Sequence, residues 1–222
     1  MKRLLFFPAE ISYLLLATLI WSLFALGFYK FFISFLLFLI LGFFFRRNRI
    51  SFQDTIKPDG EMYISPIHGK IESIRQNVPV WGDLDQGHEV RITMSVNDEK
   101  GLYLPLNGEV TFLKANKGIK ISRNSESQHF YGPLEEVSHT DLILSSRNET
   151  KTQMRYIDSP YCPRPSLWMK LGDRGRSSAC FGYYPFGGTL LIYLPINSEI
   201  LVYEGERVKP GQTVIAVLKD EK

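Results

Sequence analysis

Histidine and cysteine are the side chains with the widest chemical repertoire, and this chain has few of them. The four histidines (His68, His88, His129, His139) do not fall at metal-ligand spacing with cysteine or acidic partners, so no zinc-type site is expected. Cys162 and Cys180 are too few for a disulfide framework. Spacing does not decide whether they pair, and a cytoplasmic body would keep both thiols reduced. Other chemistry must come from loops that converge in the fold. The sequence marks such loops with two copies of an x-Pro-x-x-Gly-x-β-branched pattern, at Ser65-Pro66-Ile67-His68-Gly69-Lys70-Ile71 and Leu104-Pro105-Leu106-Asn107-Gly108-Glu109-Val110. A third marker is Gly205-x-x-Val208-x-x-Gly211. Proline presets φ and glycine supplies positive φ, so these read first as turn chemistry between strands.

The elements that hold these loops are short β-rich runs closed by Gly or Pro: 62–65, 70–74, 89–94, 109–113, 142–144, 190–194, 200–203 and 213–218. No long helical period interrupts them. Residues 61–222 are therefore expected to form a mainly β domain of barrel or sandwich type, large enough to bury its own core. Residues 50–60 read as a polar linker.

Residues 1–49 are of a different kind. Between Leu4 and Phe45 the only charged residues are Glu10 and Lys30, while Lys2, Arg3, Arg46, Arg47 and Arg49 flank the apolar stretch. The head carries +5, leaving 20 basic and 22 acidic residues for 50–222. That split excludes a uniformly basic nucleic-acid binder, and the apolar body excludes a disordered chain. The run from Ile11 to Phe45 is too long for a signal peptide and lacks a small-residue cleavage site, so it reads as a retained anchor. A span takes roughly 20 apolar residues. Two readings fit: a transmembrane hairpin, with arms Ile11–Phe28 and Phe31–Phe45 turning at Gly27–Lys30, or one long tilted helix. Basic residues at both ends favour the hairpin, with both ends and the β domain on the cytoplasmic side of the membrane.

The turns are reminiscent of biotinyl and lipoyl carrier folds, but no Met-Lys-Met presents a lysine for modification. A second resemblance covers nearly the whole chain. Phe44-Phe45-Arg46, Ile64-Ser65-Pro66-x-x-Gly69-Lys70-Ile71, Arg91-Ile92-Thr93-Met94-Ser95-x-x-Asp98, Asn148-Glu149, Trp168-Met169-Lys170-x-Gly172-Asp173, Phe186-Gly187, Tyr193-Leu194-Pro195 and the terminal Gly-x-x-Val-x-x-Gly occur in order. Together they resemble the phosphatidylserine decarboxylase family. That resemblance implies a membrane-anchored β domain acting on an aminophospholipid. It also implies a self-made pyruvoyl cofactor, formed by a serine that follows a glycine and is activated by an aspartate and a histidine.

The chain departs from the pattern at the positions that carry this chemistry. The serine position is Gly188, the aspartate position His68 and the histidine position Lys100. Thr189 is the nearest hydroxyl, one residue late; threonine would give a ketobutyryl rather than a pyruvoyl group. His68 and Lys100 as a new acid/base pair is the alternative to plain pocket-lining residues. Arg164 stands where the family has one of two adjacent arginines, either holding a phosphate or facing solvent. The expectation is a family member that does not cleave itself and carries no cofactor, pyruvoyl entering only with self-processing. Its expected partners are membrane lipids, a phospholipid headgroup, or further subunits in a homo- or hetero-oligomer; nucleic acid is not expected. The alternative is an active decarboxylase with non-standard processing.

Overall fold

The computed structural model describes residues 16–18, 20–21, 28–44, 61–80, 86–120, 136–148, 150–158 and 164–218. Two compact units divide the chain, Met1–Arg49 and Ile50–Lys222.

In the first unit, residues 16–18 and 20–21 are helical and α1 runs Phe28–Phe44. Its 17 residues make a rod of about 26 Å. Among the described residues no helix is long and apolar enough to cross a membrane. The expected hairpin turn at Gly27–Lys30 is corrected: Phe28, Tyr29 and Lys30 are already helical. The reason is local. Tyr-Lys is polar but breaks nothing, and α1 has no glycine before Gly42 and no proline. Gly27 and most of the expected first arm lie outside the described residues.

The second unit is mainly β. Its strands are β1 Met62–Ile64, β2 Gly69–Pro79, β3 Gln86–Met94, β4 Gly101–Tyr103, β5 Gly108–Asn116, β6 His139–Ser145 and β7 Lys151–Ile157. They continue with β8 Ser166–Leu167, β9 Arg174–Gly175, β10 Cys180–Tyr183, β11 Gly188–Pro195, β12 Ser198–Ile200, β13 Arg207–Val208 and β14 Val214–Leu218. An eight-stranded antiparallel sheet has the order β13-β2-β3-β11-β7-β6-β5-β9, beside two three-stranded sheets, β1-β14-β12 and β4-β10-β8. All three sheets feed one core: Ile71, Ile92 and Leu190 from the large sheet, Tyr63 and Ile215 from the second, Leu102 and Phe181 from the third.

β11 is buried along its whole length because it is paired on both sides, to β3 and β7. Its Thr-Leu-Leu-Ile-Tyr-Leu run supplies apolar groups to both faces, as a central strand requires. The two Pro-x-x-Gly markers both end where a long strand begins. A Cβ on Gly69 would lie 2.5 Å from the Thr93 carbonyl oxygen, and one on Gly108 2.7 Å from that of Ser145. Each glycine lets its strand approach a neighbour's backbone. The expected strand at 200–203 is corrected: β12 lies earlier, Ser198–Ile200, and Tyr203 enters a turn closed by Glu206.

Candidate functional site

β2 begins, β3 ends and β11 begins at one margin of the large sheet, since Lys70 pairs with Thr93 and Gly188 with Met94. His68 precedes β2, Lys100 closes the loop after β3, and Gly188 opens β11. The fold therefore gathers the three positions singled out in the sequence.

The 95–100 loop is cinched by its own polar groups. Ser95 N–H donates to Asp98 Oδ2 at 2.7 Å, and Asp98 N–H to the Ser95 carbonyl at 3.1 Å. Lys100 is 2% exposed. Its Nζ donates to the carbonyls of Ser95 at 2.5 Å and Asp98 at 2.7 Å. The ammonium is thus a staple for the loop, which disfavours a proton-transfer role. The Lys100 carbonyl in turn accepts the Tyr184 N–H at 2.8 Å, tying this loop to the turn before β11.

His68 is half-buried, with Nδ1 accepting the Glu99 N–H at 3.4 Å. Its Nε2 lies 3.9 Å from Asp98 Oδ1, and Arg207 Nη2 is 3.5 Å from the same oxygen. Burial holds the imidazole below its ordinary range; Asp98 opposes this, but Arg207, Lys209 and Lys100 reinforce it. His68 is therefore a neutral acceptor at pH 7 rather than half of an ion pair. Buried Asp98 was legible only as part of a motif; its Ser-x-x-Asp spacing is the signal, since an aspartate three residues on can reach back to a backbone N–H. Glu99 is equally buried and takes the Tyr103 hydroxyl at 2.5 Å.

Gly188 has no side chain, and the space for one is filled. A Cβ there would fall 2.3 Å from Tyr184 Cζ and 2.5 Å from its Cε1 and hydroxyl. Tyr184 is fully buried, stands edge-on to Tyr156 with ring centroids 6.0 Å apart, and donates its hydroxyl to the Ile157 carbonyl. The ring has little freedom to withdraw. The residues present therefore do not fit a cofactor built on position 188. Before it, Phe186 (φ 59°) and Gly187 (φ 87°) both have positive φ. A Cβ on Gly187 would meet the Met94 carbonyl oxygen at 2.4 Å. Thr189 is 1% exposed and follows Gly188 along an extended strand, so its side chain projects from the opposite face. Its Oγ1 lies 3.4 Å from Thr93 Oγ1.

Arg164 is anchored beside this cluster, on Asp158, which follows the Ile157 that pairs with Thr189. Its Nε donates to the fully buried Asp158 at 3.0 Å and its Nη2 to the Asn116 carbonyl at 3.1 Å. The guanidinium is anchored to Asp158 and Asn116, with 36% of the side chain still exposed. Cys180 directs its sulfur to the Gly182 carbonyl at 3.4 Å, while Cys162 and His129 lie outside the described residues. Among the described residues no group of three His, Cys, Asp or Glu side chains is placed to hold a metal ion.

A second buried polar cluster had no sequence signal. Arg155 grips Asp141 with two bonds, 2.7 and 3.0 Å, and His139 Nε2 lies 3.3 Å from the same carboxylate. Burial would raise the Asp141 pKa, but hydrogen bonds from His139 and Arg155 together with the Arg155 charge hold it below the usual range. His139 Nδ1–H donates to the Val137 carbonyl at 2.6 Å, and its Nε2 also lies 2.8 Å from the Asn116 side-chain amide. All partners are engaged within the protein, so the cluster reads as structural.

Comparison with known proteins gives a consistent result. The family model described as phosphatidylserine decarboxylase matches residues 40–216. A phosphatidylserine decarboxylase proenzyme of Symbiobacterium thermophilum is 28% identical over 171 residues, covering 75% of this chain and 77% of the relative. One from Carboxydothermus hydrogenoformans is 27% identical over 186 residues, covering 83% of each.

Proposed function

The chain belongs to the phosphatidylserine decarboxylase family, and on that premise we propose that it is an unprocessed, catalytically silent member. In this reading it keeps the family's β domain as a membrane-anchored module for phospholipid headgroups or a partner protein. One observation carries the reading: position 188 is glycine, and the Tyr184 ring occupies the space its side chain would need. A glycine has no hydroxyl to attack the preceding carbonyl and no β-carbon from which a pyruvoyl group is made. The position that should act on a serine, His68, is held neutral, and Lys100 is spent on backbone carbonyls.

The apolar head is proposed as the anchor, lying in or across the membrane with the β domain on its cytoplasmic face. The exposed Phe32, Ile33, Leu36, Leu37 and Leu39 along α1 support this reading, because such a surface is unfavourable in water. The Arg46/Arg47/Arg49 cluster suits anionic headgroups.

Intact mass spectrometry of the purified full chain tests the proposal. One species near 25.6 kDa with unmodified termini is expected. Two fragments, the smaller beginning at Gly188 or Thr189 with a carbonyl-bearing block, would overturn it in favour of an active decarboxylase with non-standard processing.

A further inference from the structure

Away from the sheet margin that holds Gly188, the body has a cleft of about 800 Å³ formed where β5 and β9 pair beside the β6–β7 turn. Three guanidinium groups line it: Arg147 from that turn, and Arg174 and Arg176 from β9 and the residue beyond. Its floor is bare backbone, because Gly108 and Gly175 face each other across the ladder. Neither glycine is a spare position: a Cβ on Gly175 would strike Leu104, and one on Gly108 the Ser145 carbonyl.

The charge of the cleft is unbalanced. Arg174 Nε pairs with Glu109 at 2.6 Å. Among the described residues no ion pair or side-chain hydrogen bond engages Arg147 or Arg176. Among the described residues, two cations thus face one cleft without a carboxylate partner, in a body whose overall balance is −2. Two devices fix its walls. The Ser146 hydroxyl donates to Glu61, and the Ser177 N–H donates to Asn107 Oδ1 at 2.8 Å, fixing the approach to Arg176.

We propose that this cleft is an anion site for a phosphate group carried on a small organic body, either a phospholipid headgroup or a free phosphate ester. Guanidinium forks match the tetrahedral oxygens of phosphate and hold them with paired, charge-assisted hydrogen bonds. A volume of about 800 Å³ leaves room beyond the phosphate for the group that bears it. The inference does not depend on whether residue 188 has lost its chemistry, so either reading can fail alone.

The test is calorimetric titration of the detergent-solubilised full chain with inorganic phosphate, glycerol 3-phosphate and dihexanoyl-phosphatidylglycerol kept below its micelle concentration. Saturable binding of at least one phosphate ester is expected, weakened about tenfold or more in Arg147→Ala/Arg176→Ala. The control Lys117→Ala/Lys120→Ala, exposed cations beyond the other end of β5, should leave it unchanged. Both target arginines are exposed, so circular dichroism should confirm an intact fold in each variant. Binding of the lipid alone assigns the site to a headgroup; binding of glycerol 3-phosphate as well assigns it to phosphate esters in general. No saturable binding of any probe, binding untouched by the cleft variant, or binding abolished by the control instead would overturn the proposal.

Discussion

Restoring the missing hydroxyl at position 188 should harm the protein rather than revive it. In Gly188→Ser the new Cβ starts 2.3 Å from Tyr184 Cζ, about 1.1 Å short of ordinary contact. The ring cannot swing aside freely, because its hydroxyl holds the Ile157 carbonyl and it packs at right angles to Tyr156. Overpacking of a filled core costs about 1–3 kcal/mol. For a body of this size that lowers Tm by roughly 3–10 °C. Tyr184→Leu removes the obstructing Cε1, Cζ and hydroxyl atoms, but leaves the Ile157 carbonyl without that partner, at about 1–3 kcal/mol. The double variant should then lose less than the two single losses combined, by about the overpacking penalty. Thermal melts of the detergent-solubilised chain, followed by near-UV circular dichroism, give the four corners of the cycle, and intact mass reports cleavage at each. A Gly188→Ser protein as stable as its parent, additivity within about 0.5 kcal/mol, or cleavage in Gly188→Ser alone would refute the claim that the ring excludes a side chain there.

Lys100→Met should cost about 1–3 kcal/mol, because the carbonyls of Ser95 and Asp98 lose a buried donor; chemical denaturation of the variant against its parent measures it. Asp141→Ala should cost about 3–5 kcal/mol by stranding the buried Arg155 charge, read in the same assay, and a loss below 1 kcal/mol would contradict the structural role given to that cluster. His68 predicts a pH dependence. Burial lowers its folded pKa, so the unfolded chain takes up the proton more readily. Its contribution is fully present above the ordinary value of about 6.5 and is lost as pH falls through and below it. The drop in Tm between pH 7.5 and 5.5 should shrink in His68→Gln; an unchanged drop would exclude His68 as its source.

The fold was legible wherever side-chain type alone decides pairing. The apolar run at 190–194 and the β-branched run at 89–94 lie in the central pair β11 and β3. β7 escaped notice because its alternation is half polar, Thr152, Met154 and Tyr156 against Lys151, Gln153 and Arg155; Gln153 and Arg155 are buried by neighbours that only tertiary structure supplies. β8, β9 and β13 are two residues long and are defined by the strands beside them. The site shows the same division. That positions 68, 100 and 188 matter was readable from motif order, and the sheet brings them to one margin. What replaced the lost groups was not readable, since Tyr184 filling the space at Gly188 depends on a turn whose φ values no motif encodes.

The motifs outlast the residues that would use them because many of their positions are needed by the backbone itself. Gly187 is the sharpest case. It combines a φ of 87° with a Cβ position 2.4 Å from the Met94 carbonyl oxygen and 3.2 Å from that of Ser95. Gly172 has nearly the same φ, 85°, but nothing within 4 Å of its Cβ position. The pair separates conformational strain from steric exclusion. Gly172→Ala should cost about 1–2 kcal/mol, the penalty of a left-handed backbone for an L-residue. Gly187→Ala should cost that and about 1–3 kcal/mol more, because the obstructing atoms are backbone and yield only if the β3–β11 ladder opens. Equal losses in thermal melts of the two variants would mean that the approach of residue 187 to β3 is not what preserves the glycine. A larger loss for Gly187→Ala would assign that glycine to packing, independent of any reaction at the residue after it.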